Sequence, residues 1–246
     1  TIPDAMGIII ETPYGDIVTP GDIKLEHENG IPTEREVEEY KRFEKEKVLL
    51  LMMDSTNVDN PGFSTPEKLV CQNLEEIIRN TKRRLIIGTF ASQLERVIAI
   101  IEAAERCGKK VVVEGRSMKQ NIEIVMSLGR LKVKKDTIVT VENMDIYPPD
   151  RVVILATGAQ GDEFAALMRI SNKSHKYIKI GKRDTVLLSS SIIPGNERAV
   201  QKLKDNLARQ GAKIIHYRTS DVYIHSTGHG NRGELEWLHK KIKPKF

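Results

Sequence analysis

No stretch of this chain approaches the roughly 20 consecutive apolar residues that a membrane-spanning helix needs. The longest apolar run, Val48 to Met53, has the length of a strand. Thr1-Ile2-Pro3-Asp4 offers neither the basic start nor the apolar core of a secretory leader. Cysteine occurs twice, at Cys71 and Cys107, and neither belongs to a CxxC pair, so a zinc ribbon is excluded. Two thiols without a framework fit a reducing compartment, and a cytoplasmic protein is expected. The phosphate-binding loop GxxxxGK[ST] is absent, which argues against NTP hydrolysis. There is no internal repeat and no low-complexity tract.

What is present is a chain of 246 residues, enough for one large α/β domain or one domain plus part of another. Apolar residues make up 39%, so a core can be buried, and the 30% of charged residues suits a solvated surface. The formal charge of +5 is a mild lean toward polyanions, and it gains weight only if the basic groups gather around one groove. The chain begins in mid-pattern without Met and stops at Lys243-Pro244-Lys245-Phe246, after a helix and at the start of what reads as a strand. A piece of a longer protein is expected.

Residues 7–23 read as a β-meander around the turn Pro13-Tyr14-Gly15-Asp16. The charge-rich stretch 33–47 reads as a solvated helix, and Val48–Met53 as a buried strand. From there short apolar strands alternate with amphipathic helices. Ser64-Thr65-Pro66-Glu67 reads as a helix start, with Leu69, Val70, Leu74, Ile77 and Ile78 as the buried face. Ser92 with Glu95 reads as a capping box, Asn196 as a cap, and Gly108 and Gly211 as helix stops. Strands are expected at 85–87, 111–113, 152–155, 186–188 and 213–217, and helices at 163–170 and 234–242. This alternation predicts an α/β fold with a mostly parallel sheet covered on both faces.

In such sheets ligands bind at the carboxyl ends of the strands. The polar, Gly-rich segments fall there: Gly88–Ser92, Glu114–Ser117, Ala156–Asp162 and Ser189–Asn196. Several lead into helix N-termini, where free N–H groups favour phosphate. His225-Ser226-Thr227-Gly228-His229-Gly230 places two imidazoles four residues apart around a hydroxyl and a glycine. Asp22 and Asp54 each follow a predicted strand, where a carboxylate serves as metal ligand, histidine partner or helix cap. His27, His175, His216 and His239 stand alone and read as structural or surface residues.

Eight motifs, in order, resemble the ribonuclease J family of metallo-β-lactamase/β-CASP nucleases. They are Ile2–Gly7, Thr19-Pro20-Gly21-Asp22, Asp54-Ser55-Thr56-Asn57, Thr89-Phe90-Ala91-Ser92, Gly115-Arg116-Ser117-Met118, Ala156–Gly161, Ile193–Glu197 and His225-Ser226-Thr227-Gly228-His229. The resemblance implies a β-CASP domain, with its parallel sheet, flanked by β-rich and α/β segments of a metallo-β-lactamase domain. The expected division is 1–54 metallo-β-lactamase, 55–211 β-CASP and 212–246 metallo-β-lactamase. It also implies two zinc ions. Asp22 matches the family's bridging metal ligand, Asp54 its first β-CASP motif and His229 its second, with His225 the further histidine upstream. The family's 5′-phosphate pocket is matched by Ser92, Gly195 and Thr227. The HxHxDH metal motif is absent, Thr227 stands where serine is common, and Gln93 where asparagine is common.

The function implied is RNA hydrolysis, both 5′-to-3′ exonucleolytic and endonucleolytic, in RNA processing and decay. His229 is the candidate general acid, held by Asp54, with His225 a further catalytic residue. The substrate would be RNA, preferably 5′-monophosphorylated, and the protein a homo-oligomer without a membrane. This chain alone carries one family-matched zinc ligand and is expected to be inactive. Two alternatives stay open: a non-catalytic RNA-binding β-CASP paralogue or scaffold, and an unrelated phosphosugar- or nucleotide-binding α/β domain.

Overall fold

The computed structural model describes residues 6–163 and 165–246. Ile2 to Ala5 of the first motif, and Phe164 in the expected helix 163–170, lie outside the described residues. The chain divides into two compact units, Thr1–Glu67 with Ser226–Phe246, and Lys68–His225. These boundaries fall later in the chain than the expected 54/55 and 211/212.

In the first unit, β1 (Ile8–Ile10) and β2 (Asp16–Thr19) form an antiparallel hairpin. Its turn is closed by Gly15 N–H on Thr12 O at 3.1 Å, and Gly15 takes a φ of 127° that only glycine adopts readily. A small hairpin of β3 (His27–Glu28) and β4 (Ile31–Pro32) precedes α1 (Glu34–Glu39). The long solvated helix expected over 33–47 does not continue. It gives way to a 3-10 turn at Lys41–Lys45, because Tyr40 and Phe43 turn inward. The Phe43 side chain is buried, and Tyr40 meets Trp237 edge-on with 5.7 Å between ring centroids. β5 (Val48–Leu51) joins β2 in parallel, giving the order β1-β2-β5. It ends earlier than expected, and Met52 is exposed.

The second unit opens with α2 (Glu67–Asn80), then β6 (Leu85–Gly88), α3 (Leu94–Arg106), β7 (Lys110–Glu114) and α4 (Arg116–Ser127). β8 (Ile138–Val139), β9 (Val152–Ala156), α5 (Ala166–Ser171), β10 (Thr185–Leu188), α6 (Glu197–Arg209) and β11 (Lys213–His216) follow. The six strands form one parallel sheet in the order β11-β10-β6-β9-β7-β8. β6, β9 and β10 are buried at every position, as strands covered on both faces must be. On one face Ile87, Val113 and Leu155 pack under Val70, Leu74, Ile78, Val97 and Ile101. On the other Ile86, Ile154 and Leu188 pack under Leu167, Ile170, Leu203 and Leu207. Each such side chain contributes about 1.5–3 kcal/mol on burial. Leu69, expected in the α2 core face, is 37% exposed instead. The expected strand 213–217 is β11, which pairs with β10 inside this unit.

The chain then returns to the first unit, where α7 (Arg232–Ile242) buries Leu235, Leu238 and Ile242 against Val18, Ile23, Leu25 and Val48.

Candidate active site

In the first unit, Asp22 and Asp54 follow β2 and β5, and His229 precedes α7. The two β-strands are neighbours in the sheet, so their carboxyl ends place both aspartates on one side. Asp22, Asp54 and His229 each offer one ligand atom, and these atoms all lie within 4.8 Å of one another. Two carboxylates and an imidazole form a donor set that suits a hard-to-borderline divalent cation.

Asp54 is the fixed point. Its Oδ1 accepts from the Thr56 backbone N–H at 2.9 Å and the Thr56 hydroxyl at 2.7 Å. Its Oδ2 accepts from Ile23 N–H at 3.4 Å and lies 2.7 Å from His229 Nδ1. The side chain is only 7% exposed, and burial alone would raise its pKa. The bonds from Thr56, His229 and Ile23 outweigh that and bring it down to about 2. An ionised Asp54 accepts a proton bond from Nδ1–H of His229. That leaves His229 Nε2 as the working atom, an acceptor when the ring is neutral and a donor when it is protonated.

The turn carrying His229 is clamped locally. His229 N–H donates to Thr227 Oγ1 at 3.1 Å, and Thr227 Oγ1 donates to His229 O at 3.0 Å. Asn57 Nδ2 reaches both, at 2.8 Å from Thr227 Oγ1 and 3.0 Å from His229 O. Beneath it, the largely buried Lys24 donates to Ser226 Oγ and, at 3.0 Å, to Thr227 O. Glu234 is fully buried and accepts from Ser64 N–H at 2.8 Å, Ser64 Oγ at 2.7 Å and Asn231 N–H at 2.6 Å. Ser64, read from the sequence as the cap of α2, is thus committed to a partner 170 positions away.

In the second unit the four Gly-rich loops all emerge at the carboxyl edge of the parallel sheet. They are stitched to one another by Thr89 N–H on Ala156 O (3.3 Å), Ser189 N–H on Gly88 O (2.9 Å) and Thr157 N–H on Glu114 O (3.0 Å). Ser92 and Gly195 are exposed on this rim. The expected cap at Ser92 is not the helix boundary: α3 begins at Leu94 with Gln93 as N-cap and no side-chain cap bond. Gly195 has a φ of 96°, and its N–H donates to Glu197 Oε2 at 3.0 Å. Gln160, buried, holds the Ser190–Ile193 segment through Ser191 O at 2.6 Å and Ile193 N–H at 2.8 Å.

His225 is buried at the edge of this unit, with its ring edge-on to Tyr217. Its Nδ1 lies 2.8 Å from Nη1 of Arg96, a guanidinium that is itself 1% exposed. Arginine can only donate, so Nδ1 accepts and the neutral ring carries its proton on Nε2. Arg96 also reaches Gln93 Oε1 at 2.5 Å and Ser189 O at 3.2 Å.

The structure therefore joins Asp22, Asp54 and His229, with Thr227 bonded into the same turn. Ser92, Gly195 and His225 belong to the second unit. Sequence reasoning missed Lys24, Asn57, Arg96, Gln160 and Glu234. Asn57 stands inside a quoted motif and could have been suspected. Lys24 and Arg96 look like ordinary surface cations within their local patterns, and only the tertiary fold buries them. The lone histidines behave as read. His27 Nε2 meets Ser64 O at 2.7 Å, His175 Nε2 meets Glu114 at 3.2 Å, His216 is buried, and His239 is exposed.

Among known proteins, the family described as "Ribonuclease J, beta-CASP domain" matches residues 82–207. Ribonuclease J of Corynebacterium glutamicum is 39% identical over 247 residues, covering 100% of this chain and 34% of that protein. Ribonuclease J of Thermus thermophilus is 39% identical over 249 residues, covering 42% of its own length. Ribonuclease J2 of Bacillus subtilis is 33% identical over 246 residues and is covered to 44%. The chain thus spans well under half the length of these curated relatives. A protein of unknown function from Enterococcus faecalis shares the fold, with a TM-score of 0.64 at 15% identity, over 99% of this chain and 56% of that one.

Proposed function

This chain belongs to the ribonuclease J family, and from that premise we propose that the complete protein is a metal-dependent ribonuclease, cutting RNA both 5′-to-3′ and internally in RNA processing and decay. The first unit is read as part of its metallo-β-lactamase domain, and the second as the β-CASP domain. The observation that carries the reading is the convergence of Asp22, Asp54 and His229, with Asp54 and His229 in contact across 175 positions of sequence.

In this reading Asp22 is a metal ligand for one or both of two zinc ions. When bound, zinc supplies a nucleophile at neutral pH and offsets the charge that develops on the phosphoryl oxygens. His229 donates a proton from Nε2 to the departing 3′-oxygen, while ionised Asp54 holds Nδ1–H and fixes the ring's orientation. His225, with its proton on Nε2, acts as a donor toward the phosphodiester. Ser92, Gly195 and Thr227 supply hydroxyl and backbone N–H donors to RNA phosphates, the 5′-monophosphate among them. The protein works as a cytoplasmic homo-oligomer. Among the described residues no helix is long and apolar enough to cross a membrane.

The test is to incubate full-length protein and zinc with 5′-monophosphorylated and 5′-hydroxyl RNA of one sequence. Metal-dependent cleavage, faster on the monophosphorylated strand, is the expected result. RNA binding without cleavage at any metal concentration would make the protein a non-catalytic β-CASP scaffold. The 246-residue chain alone, with Asp22 as its sole family-matched zinc ligand, should bind phosphate without cutting RNA.

A further inference from the structure

The cations of the second unit are not spread evenly. Because β11, β10 and β6 are parallel neighbours in register, with Lys213 beside Thr185 and Thr185 beside Leu85, their amino ends lie in one row. The segments entering that row are basic: Lys82-Arg83-Arg84 before β6, Lys179 to Arg183 before β10, and Lys213 opening β11. Hydrogen bonds lock them side by side. Arg183 N–H donates to Gly211 O at 3.0 Å, Lys213 N–H to Asp184 O at 2.8 Å, and Arg83 Nη2 to Lys182 O at 3.3 Å.

One member of the cluster is neutralised: Arg84 pairs with the buried carboxylate of Asp184 at 2.7 Å. The other six cations, Lys82, Arg83, Lys179, Lys182, Arg183 and Lys213, are all exposed, although Lys179 Nζ also donates to the carbonyls of Lys173 at 3.0 Å and His175 at 2.8 Å. Among the described residues no carboxylate lies within ion-pair distance of any of them. Some surface cations elsewhere are paired, Arg35 with Glu39, Arg106 with Glu75, Lys110 with Asp136 and Lys241 with Glu44, while among the described residues others such as Lys132, Lys202 and Arg209 stand singly; the strip differs in gathering its cations on adjacent strands. The strip carries a formal +6, against +5 for the whole chain, so the remainder sums to −1. Arg183 also sits at a φ of 71°, a left-handed conformation in which glycine or asparagine would be less strained.

We propose that this strip is a second RNA-binding surface, holding the sugar–phosphate backbone along the amino edge of the parallel sheet. It lies at the edge of the sheet opposite Ser92 and Gly195, about 13 Å along the four-residue strands. An acidic protein partner fits less well. No exposed large apolar side chain lies among residues 82–84, 179–184 or 211–213, and protein interfaces are anchored by such groups whereas phosphate contacts need only cations. Row spacing across three strands is about 10 Å, enough for two or three phosphates of one strand. The inference rests on the reading that the protein acts on RNA.

The experiment compares full-length wild type with the triple variant Lys182→Glu, Arg183→Glu, Lys213→Glu. Affinity for a long single-stranded oligouridylate is measured by fluorescence anisotropy across a salt series. The logarithmic salt slope should fall by about 1.4 and low-salt affinity by about tenfold, as loss of two phosphate contacts requires. Zinc content and cleavage of a short oligonucleotide should not change. A second variant, Arg183→Gly, relieves the strained turn. It should melt no lower than wild type and still bind long RNA more weakly. If wild type binds RNA and neither variant alters the slope, the proposal is overturned and the strip is left to an acidic protein or to solvent. If wild type does not bind RNA at all, both this proposal and the ribonuclease reading fail.

Discussion

At Asp54 four donors converge on one carboxylate, and this has a consequence in acid. With its pKa held near 2 in the folded protein, against 3.8 ordinarily, Asp54 is ionised in the folded state where the unfolded chain has already taken up a proton. Its stabilisation is complete above about pH 5 and is lost as pH falls toward 2, amounting to about 2 kcal/mol. Trp237 is the single tryptophan and packs, half-buried, against the core of the same unit, so its fluorescence reports that unit's unfolding. In metal-free protein, Asp54→Asn should flatten the wild-type loss of stability between pH 4 and 2. An unchanged acid titration would show that Asp54 does not carry it. Glu234 makes a stronger case for burial: its replacement by alanine orphans Ser64 N–H and Asn231 N–H and should cost about 3 kcal/mol by the same fluorescence readout. Residue types were legible here, and so, through the resemblance, was the pairing of Asp54 with His229, while the other partnerships were not. The sequence placed Asp22, Asp54 and His229 at the ends of elements, but it assigned Ser64 to a helix cap. The carboxylate that claims Ser64 lies 170 residues away, beyond any local pattern.

The elements of the second unit followed their hydrophobic periodicity closely. Val70, Leu74 and Ile78 on α2 and Val200, Leu203 and Leu207 on α6 are buried as their spacing requires. Capping chemistry was the weaker guide, since Ser92 gave way to Gln93. β8 has only two residues, too few to produce a pattern, and was missed. Loop geometry was legible in composition but not in consequence. Gly161 has a φ of 79°, and a Cβ there would stand 2.6 Å from the backbone carbon of Ala199 at the start of α6. Gly161→Ala should destabilise this unit by about 2 kcal/mol or more, a drop of roughly 4–8 °C in Tm by calorimetry. A variant that melts like wild type would mean that the loop is free to move away from α6. β11 ends in His216, whose burial, with Lys204 and Arg218 nearby, brings its pKa down to about 4. The folded form thus resists a proton that the unfolded form accepts, so this unit should lose stability as pH falls from about 6.5 to 4. His216→Gln should remove that part of the pH dependence while leaving the Trp237 signal unaffected.

For the molecule as a whole, alternation of strand and helix gave the parallel sheet, and the eight motifs gave the family. The unit boundaries were harder to read. The sequence ended the middle domain at 211, where a helix stops. β11 nonetheless completes the parallel sheet by pairing with β10, and a strand's sheet membership is set by register rather than by its own residues. Charge followed the same rule: +5 overall says little, whereas six cations with no ion-pair partner among the described residues do not show themselves as neighbours until three strands are aligned. The central claim is that His229, held by Asp54, is a proton donor beside a metal bound through Asp22. Zinc per chain and single-turnover cleavage of 5′-monophosphorylated RNA, measured together on full-length wild type and His229→Ala, test it most directly. Cleavage should fall by about 10²–10⁴-fold with zinc content unchanged. Loss of a full zinc equivalent would make His229 a ligand instead, and undiminished cleavage would remove it from the chemistry altogether.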